Sequence, residues 1–243
     1  MINRENLEKF AKSQQTDITN VAREYCQHLF LSYLYQQPGC EKMLFKGGTA
    51  LRVILKSPRF SEDLDFTGKG ITENEIEDLF SATMAEIERT GILVDIAESK
   101  KTTGGHLGVA TFVVQNMKIK IQIEVSFRDG KKLKGTRALI ENDFVPPYTI
   151  VHLEMEEIIS GKLNALRNRA KPRDFYDYYF LLSGTYPSVR DKNTLMWVLE
   201  HLRKSKIDFR GELRRFLPAS HAMLLRDFRK ILEKKILTFN PGK

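Results

Sequence analysis

The chain has 243 residues, of which 42% are hydrophobic and 29% are charged. This length and composition suit a globular protein with a buried core and exclude a fibrous or largely disordered chain. The net charge of +8 favours a polyanionic partner, nucleic acid above all, although a basic surface that serves only solubility would carry the same charge.

Three features bear on where the protein acts. No segment approaches the roughly 20 consecutive apolar residues that span a bilayer, and residues 1–5 contain no apolar signal core. Cys26 and Cys40 lie in no CxxC or Cys/His cluster, which argues against a zinc site and suits a reducing compartment. We therefore expect a cytoplasmic protein with no membrane partner.

The first part of the chain predicts a mixed sheet with helices. Helical periodicity covers residues 17–36, 49–55 and 73–89. Strand-like runs cover residues 43–45, 62–67, 92–97, 109–116 and 119–127.

The pair Pro146-Pro147 marks a change of character. The residues after it are almost wholly helical in pattern, over 154–169, 173–183, 191–204 and 219–235. The sequence therefore predicts an α+β fold in two parts. These are a mixed-sheet domain at 1–147, with an N-terminal helix, and a helical domain at 148–243, with a cleft where the two meet.

Two acids, Asp63 and Asp65, occupy alternate positions of the predicted strand 62–67. Alternation would place both carboxylates on one face while Leu64 and Phe66 enter the core. Like charges held side by side repel each other unless a cation joins them. Mg²⁺ or Mn²⁺ suits such oxygen ligands, usually together with the phosphates of a substrate. The alternative is an exposed acidic pair without a ligand.

A glycine turn, Gly47-Gly48-Thr49, precedes these acids and opens a predicted helix. Two glycines let a backbone approach a ligand closely, and the first N–H groups of a helix attract phosphate. Lys46 could add a positive charge to the same phosphates. Such a turn followed by an Asp-x-Asp strand fits phosphoryl or nucleotidyl transfer assisted by metal ions.

A third carboxylate is available on the strand 119–127. The polar and apolar residues from Lys118 to Val125 alternate strictly, and Glu124 lies on the polar side. If this strand pairs beside Asp63 and Asp65, Glu124 joins the metal ligands. Otherwise it is a solvated glutamate beside lysines.

A second polar cluster lies in the helical part. Asp177 falls between aromatic residues of the helix 173–183, where a carboxylate needs a partner, and Lys162, Arg167 or Arg173 could supply it. A Lys–Asp pair could bind the triphosphate or sugar of a nucleotide, or it could hold two helices together. Asp174 follows Pro172 in the first helical turn, where an acid also complements the helix dipole.

Three runs of basic residues could follow a phosphate backbone, although each is more often a solvated helix face. One of them is the C-terminal run from His201 to Lys235, and the other two are shorter. The first comprises Lys131, Lys132, Lys134 and Arg137. The second comprises Arg167, Arg169, Lys171 and Arg173.

Segments 45–51 and 59–66 together resemble the first motif of the AbiEii nucleotidyltransferase toxins, a branch of the DNA polymerase β-like superfamily. Lys162 and the segment 173–177 (Arg-Asp-Phe-Tyr-Asp) resemble the later Lys and Asp motifs of that family. The order and spacing of the motifs agree, and the resemblance covers roughly residues 40–185 of the chain.

The resemblance implies a nucleotidyltransferase fold followed by a helical bundle, and it implies roles for individual residues. Asp63 and Asp65 would be metal ligands, and the family does not always use a third strand carboxylate such as Glu124. The residues that would shape the nucleotide site are Gly47, Gly48, Thr49 and Ser61, to which we add Arg173 and Asp174. The other functional side chains would be Lys46, Lys162 and Asp177.

The resemblance also implies an activity and partners. Family members are toxins of bacterial type IV toxin–antitoxin and phage-defence systems, and some add nucleotides to the 3′ end of tRNA. We therefore expect transfer of a nucleoside monophosphate from an NTP to tRNA or another RNA, and a possible cognate antitoxin. Alternatives are transfer to a protein hydroxyl or a small molecule, and a non-catalytic RNA-binding module.

Overall fold

The computed structural model describes residues 2–127 and 133–239. Lys131 and Lys132 of the first basic run therefore lie outside the described residues. The chain divides into two compact units, Met1–Glu154 and Met155–Lys243, which we call the N-terminal and C-terminal units.

The described residues of the N-terminal unit form a seven-stranded mixed sheet in the order β3-β4-β5-β2-β1-β7-β6. The pairs β2–β5 and β1–β7 are parallel, and the other neighbours are antiparallel. The strands are β1 (Met43–Lys46), β2 (Leu64–Gly68), β3 (Leu93–Thr102), β4 (Gly105–Val114), β5 (Met117–Phe127), β6 (Gly135–Ile140) and β7 (Tyr148–Leu153).

Helices pack on this sheet through apolar faces. The long helix α2 is buried along most of its length and contacts α4, β5 and β7. A capping box of Thr72 and Glu75 begins α4 at the residue that the sequence predicts. The helices of the unit are α1 (Arg4–Ser13), α2 (Ile18–Leu34), α3 (Gly47–Leu55) and α4 (Glu73–Arg89).

The alternation predicted for β5 is confirmed. Its apolar residues from Ile119 to Val125 are buried, whereas Lys118, Lys120 and Glu124 are exposed. Gln115 and Asn116 form the two-residue turn between β4 and β5, and both have positive φ values, as this type of hairpin turn requires. The core of the unit therefore lies on the apolar face of β5, and the polar face carries the candidate site.

Two strands, β6 and β7, are absent from the sequence prediction. β7 directly follows Pro147, and although its burial alternates from Tyr148 to His152, the apolar Val151 and the polar His152 interrupt the alternation in the sequence. β6 is an edge strand whose residues are mostly exposed, so it carries no alternating signal. The compact N-terminal unit includes both strands and extends to Glu154.

The described residues of the C-terminal unit are helical. Its helices are α5 (Met155–Arg169), α6 (Pro172–Leu181), α7 (Pro187–Arg190), α8 (Lys192–Lys204), α9 (Phe209–Leu213), α10 (Ala222–Arg226) and α11 (Phe228–Thr238). The segment 219–235 was predicted as one helix, but it is divided at Asp227 into α10 and α11. The mixed sheet and these helices confirm the predicted α+β class.

Within residues 2–127 and 133–239, the helices are too short or too polar for any of them to cross a lipid bilayer.

Candidate active site

Asp65 lies in the middle of the sheet, on β2. Leu64 and Phe66 on either side are fully buried, so alternation turns the Asp65 side chain to the opposite face, where it is partly exposed. Its register partners are Lys46 on the antiparallel strand β1 and Glu124 on the parallel strand β5. Side chains at partner positions share a face, so these three form one row across three neighbouring strands, which we call the charged row.

Asp63 is not part of this strand, which corrects the sequence prediction. β2 begins at Leu64, where its pairing with Ile123 of β5 starts, and Asp63 precedes the first paired residue. The backbone before β2 is held instead by side chains. The Thr49 hydroxyl donates to the carbonyl of Asp63, and Gln27 Nε2 donates to the carbonyl of Ser61 at 3.0 Å.

The glycine bend directly joins β1 to α3. Gly47 has a φ of +86°, in the region that favours glycine. A Cβ atom on Gly47 would lie 1.9 Å from Oδ2 of Asp65, so the bend and this carboxylate are in direct contact. The first N–H groups of α3 follow at once, where a phosphate would find unpaired helical donors.

Thr49 and Gly48 are buried, so their side-chain positions are not open to direct contact with a nucleotide. The Thr49 hydroxyl connects the bend to the segment that carries Asp63. Thr49 therefore fixes the position of the acids relative to the bend.

The sequence analysis expects Glu124 near the acids if its strand pairs beside theirs, and β5 does pair with β2. Its carboxylate is exposed and accepts a hydrogen bond from Gln122 Nε2 at 2.6 Å. Within residues 2–127 and 133–239, however, no three His, Cys, Asp or Glu side chains come close enough to hold a metal together. The structure thus brings Asp65 and Glu124 side by side without assembling a three-acid cluster.

Lys46 and Ser126 form a hydrogen-bonded pair beside these acids. Lys46 Nζ donates to Ser126 Oγ at 2.6 Å, and Ser126 Oγ lies 3.3 Å from the carbonyl of Phe66, to which it can donate. A pocket of about 380 Å³ opens here and is lined by Lys46, Asp65, Glu124 and Ser126, together with residues of β3, β4 and the turn between them. The sequence reasoning missed Ser126, although it lies two residues after Glu124 on the same polar face.

The later motif residues lie in the C-terminal unit. Lys162 Nζ donates to Asp177 Oδ2 at 2.8 Å, which selects Lys162 among the partners considered for Asp177. The Lys162 side chain is 12% exposed and that of Asp177 is 2% exposed, so the ion pair between α5 and α6 is buried. The neighbouring Tyr178 donates its hydroxyl to the carbonyl of Val189, and burial raises the pKa of its phenol.

Arg173 and Asp174 take part in ion pairs within the C-terminal unit. Arg169 contacts both carboxylate oxygens of Asp174, and the backbone N–H of Lys171 donates to the same carboxylate at 3.0 Å. Arg173 Nε lies 3.3 Å from Glu212. Asp174 therefore stabilises the start of α6, and the structure does not reveal a nucleotide-binding role for either residue.

Residues 29–239 match the family described as "Nucleotidyl transferase AbiEii toxin, Type IV TA system". The chain belongs to the AbiEii family. It is accordingly a nucleotidyltransferase of a toxin family, as the motifs in segments 45–51 and 59–66 predict.

Two crystal structures from Helicobacter pylori resemble this AbiEii chain. One is described as a candidate nucleotidyltransferase, with a TM-score of 0.61 over 90% of this chain and 94% of that chain. The other, JHP933, has a TM-score of 0.62 over 93% of each chain. Each is 20% identical to this protein, so the likeness shows a shared fold. No individual curated protein matches the chain.

Proposed function

We propose that this AbiEii nucleotidyltransferase transfers a nucleoside monophosphate from an NTP to the 3′ hydroxyl of an RNA, with tRNA as the acceptor and Mg²⁺ or Mn²⁺ as the cofactor. The observation that carries the proposal is the charged row of Lys46, Asp65 and Glu124, which lies against the Gly47 bend. Carboxylates, a cation and a glycine bend at a helix N-terminus are together what a metal-bound triphosphate requires.

The carboxylates of the charged row are suitable ligands for a divalent cation. Asp65 and Glu124 are register partners, and adjacent carboxylates repel each other unless a cation lies between them. Mg²⁺ is usually held by one or two carboxylates plus substrate phosphates, so the two strand acids suffice. Asp63 would join them as a further ligand only after its side chain moves, because the described residues form no three-acid cluster. When bound, the metal would polarise the α-phosphate of the NTP.

The proposed step is a substitution at phosphorus. The 3′-hydroxyl oxygen forms a bond to the α-phosphorus and loses its proton to solvent. The bond between the α-phosphorus and the bridging oxygen breaks, and pyrophosphate leaves with the electron pair. Lys46, held in place by Ser126, would stabilise negative charge on the phosphates throughout.

The acceptor can be tested directly with purified protein. Incubation with total tRNA, Mg²⁺ and each α-³²P-labelled NTP in turn is expected to label RNA. Asp65→Asn should lower the labelling by at least about 100-fold, because metal and substrate would lose their central carboxylate. Asp95→Asn, on an exposed position of β3 in the same sheet, is the matched control and should retain full activity.

The outcomes separate the alternatives. Label on protein or on a small molecule, with none on RNA, would replace RNA by another acceptor. A wild type that binds neither Mg²⁺ nor NTP in isothermal titration would favour a non-catalytic RNA-binding module. Full activity of Asp65→Asn would contradict the metal assignment.

Membership of a type IV toxin–antitoxin family suggests a cognate antitoxin as a partner. We propose in addition that the toxin acts in defence against phage. Induced wild type should arrest bacterial growth, whereas Asp65→Asn should not. Rescue of growth by an adjacent gene would identify the antitoxin, and growth arrest by Asp65→Asn would show that toxicity is independent of transfer.

A further inference from the structure

The charge of the protein is divided unequally between its two units. Residues 155–243 contain 19 Lys and Arg against 10 Asp and Glu, a net charge of +9. Residues 1–154 contain 20 Lys and Arg against 21 Asp and Glu, a net charge of −1. The basic character of the chain therefore belongs to the C-terminal unit.

Most acids of the C-terminal unit are already engaged. Six of the ten lie in ion pairs with Lys or Arg, and Asp191 and Asp208 accept backbone N–H groups at the starts of α8 and α9. The surplus is cationic and lies at the surface. Its exposed members include Lys171, Lys206, Arg210, Arg214, Lys230 and Lys234.

The same unit carries a partly exposed aromatic stack. The rings of Trp197 and His201 on α8 lie 3.8 Å apart at an angle of 25°, and the guanidinium carbon of Arg167 on α5 lies 6.0 Å from the Trp197 ring centre. His201 Nδ1 lies 2.9 Å from the carbonyl of Trp197 and can donate to it, which fixes the imidazole in the stacked position. We call Arg167, Trp197 and His201 the Trp197 stack.

Trp197 and His201 lie on α8, and α8 packs against α11, which carries several cations. Arg203 on α8 forms an ion pair with Glu233 on α11 at 2.6 Å, and Arg229 donates to the carbonyl of Leu202. Lys230 and Lys234 extend from the exposed side of the same α11. An aromatic platform and exposed cations on packed helices are the combination that binds an unpaired nucleotide together with its phosphate backbone.

We propose that the acceptor RNA docks on the C-terminal unit. Its phosphates would lie along the exposed Lys and Arg side chains, and an unpaired base would stack on Trp197. This inference rests on the proposed RNA substrate and adds the surface that recognises it. The positive charge would also attract an acidic protein, but the Trp197 stack favours RNA, because an unpaired base can stack on the Trp197 ring.

Direct binding of RNA, without NTP or metal, tests the docking surface separately from the reaction. The probes are two 5′-fluorescein RNA hairpins, one blunt and one with a short single-stranded 3′ extension, followed by fluorescence anisotropy. The full-length wild type should bind the extended hairpin more tightly than the blunt one. Trp197→Ala should weaken binding of the extended hairpin by about 5- to 100-fold, the usual loss of one aromatic–base stack, and Trp197→Phe should largely preserve it.

The role of the positive charge is tested with two double Lys→Glu variants, one in each unit, which change the net charge of the protein by the same amount. Lys230→Glu with Lys234→Glu should weaken binding of both hairpins and lower the slope of log K against log salt by about 2, one for each phosphate contact removed. Lys9→Glu with Lys12→Glu, at exposed positions of α1 in the N-terminal unit, should change neither. Circular dichroism of all the variants checks that the helices persist.

Each result is decisive. Equal losses from the α1 and α11 reversals would show attraction by overall charge only and would overturn the docking surface, as would unchanged binding by Trp197→Ala. In the transfer assay, Trp197→Ala should raise the KM for RNA far more than it lowers kcat. If the wild type binds the hairpins as described but labels no RNA, docking stands and the proposed reaction fails.

Discussion

At the scale of single residues, the contact between Gly47 and Asp65 decides what the site tolerates. Any side chain at position 47 would collide with the Asp65 carboxylate, because a Cβ atom on residue 47 would lie 1.9 Å from Asp65 Oδ2. Glycine is therefore required at position 47 for two reasons: the backbone has a positive φ, and the Asp65 carboxylate leaves no room for a side chain.

Gly47→Ala should lower transfer by about 100-fold, because displacing a reacting group by even 1 Å has an effect of this size. Gly39→Ala is the matched control, since Gly39 has the same φ of +86° but open space around its Cβ position. Both variants should lose about 1–2 kcal/mol from the strained backbone. Gly47→Ala should lose more than Gly39→Ala, because the Asp65 side chain must also move. Urea unfolding and transfer assays measure the two effects, and equal activities would show that the contact is unimportant.

The sequence allowed Asp65, Glu124 and Lys46 to be predicted together, because period-2 alternation and the position of a glycine turn are local properties. It could not place Asp63, because the residue at which β2 begins is set by pairing with a strand distant in the sequence, β5. Nor could it select Lys162 as a partner of Asp177, since Arg167 and Arg173 lie nearer to Asp177 along the chain and sequence separation does not show which side chain faces it. Such choices are made by packing between elements.

At the scale of elements, the first turn of α4 is stabilised by an acid. Glu75 accepts hydrogen bonds from Lys42, which is the largest influence, and from Thr72, and these lower the pKa of its carboxyl to about 2 from 4.5. Because the folded pKa lies below the unfolded one, the stabilisation is complete above about pH 4.5. It is lost as the pH falls from there through about 2.

Glu75→Gln tests this dependence. The variant should be less stable than the wild type at pH 6, and the difference should shrink between pH 4.5 and pH 2.5, because the unfolded wild-type chain binds a proton at Glu75 in this range and the folded chain does not. Free energies of urea unfolding, measured for both proteins at several pH values, give the comparison. A difference that stays constant with pH would show that the ionised carboxylate does not stabilise the helix.

The buried pair between α5 and α6 can be assigned a role by a double substitution. Lys162→Met alone should destabilise the protein by about 3–5 kcal/mol, because it leaves the Asp177 charge buried without this partner. Lys162→Met with Asp177→Leu should recover much of the stability. If the pair only holds the helices together, the double variant regains transfer activity. If the pair binds the nucleotide, the double variant is stable but inactive.

At the scale of the whole molecule, the two units differ in kind. One carries the charged row and is nearly neutral, and the other carries the excess positive charge. Composition predicted a basic protein and a nucleic acid partner, but the location of the charge followed only when the unit boundary was known. The sequence also missed the strands β6 and β7. β6 is a mostly exposed edge strand, and in β7 the order of Val151 and His152 interrupts the alternation of apolar and polar residues.

The direct passage of β1 into α3 has a consequence for engineering this enzyme. Lys46 is at once the last residue of the strand, the N-cap of the helix and the register partner of Asp65. No linker residue separates the strand from the helix. Inserting one amino acid before Lys46 would therefore turn its side chain to the other face of the sheet, away from Asp65, and would rotate the helix relative to the strand. Attempts to change nucleotide preference here should therefore exchange side chains and keep the loop length constant.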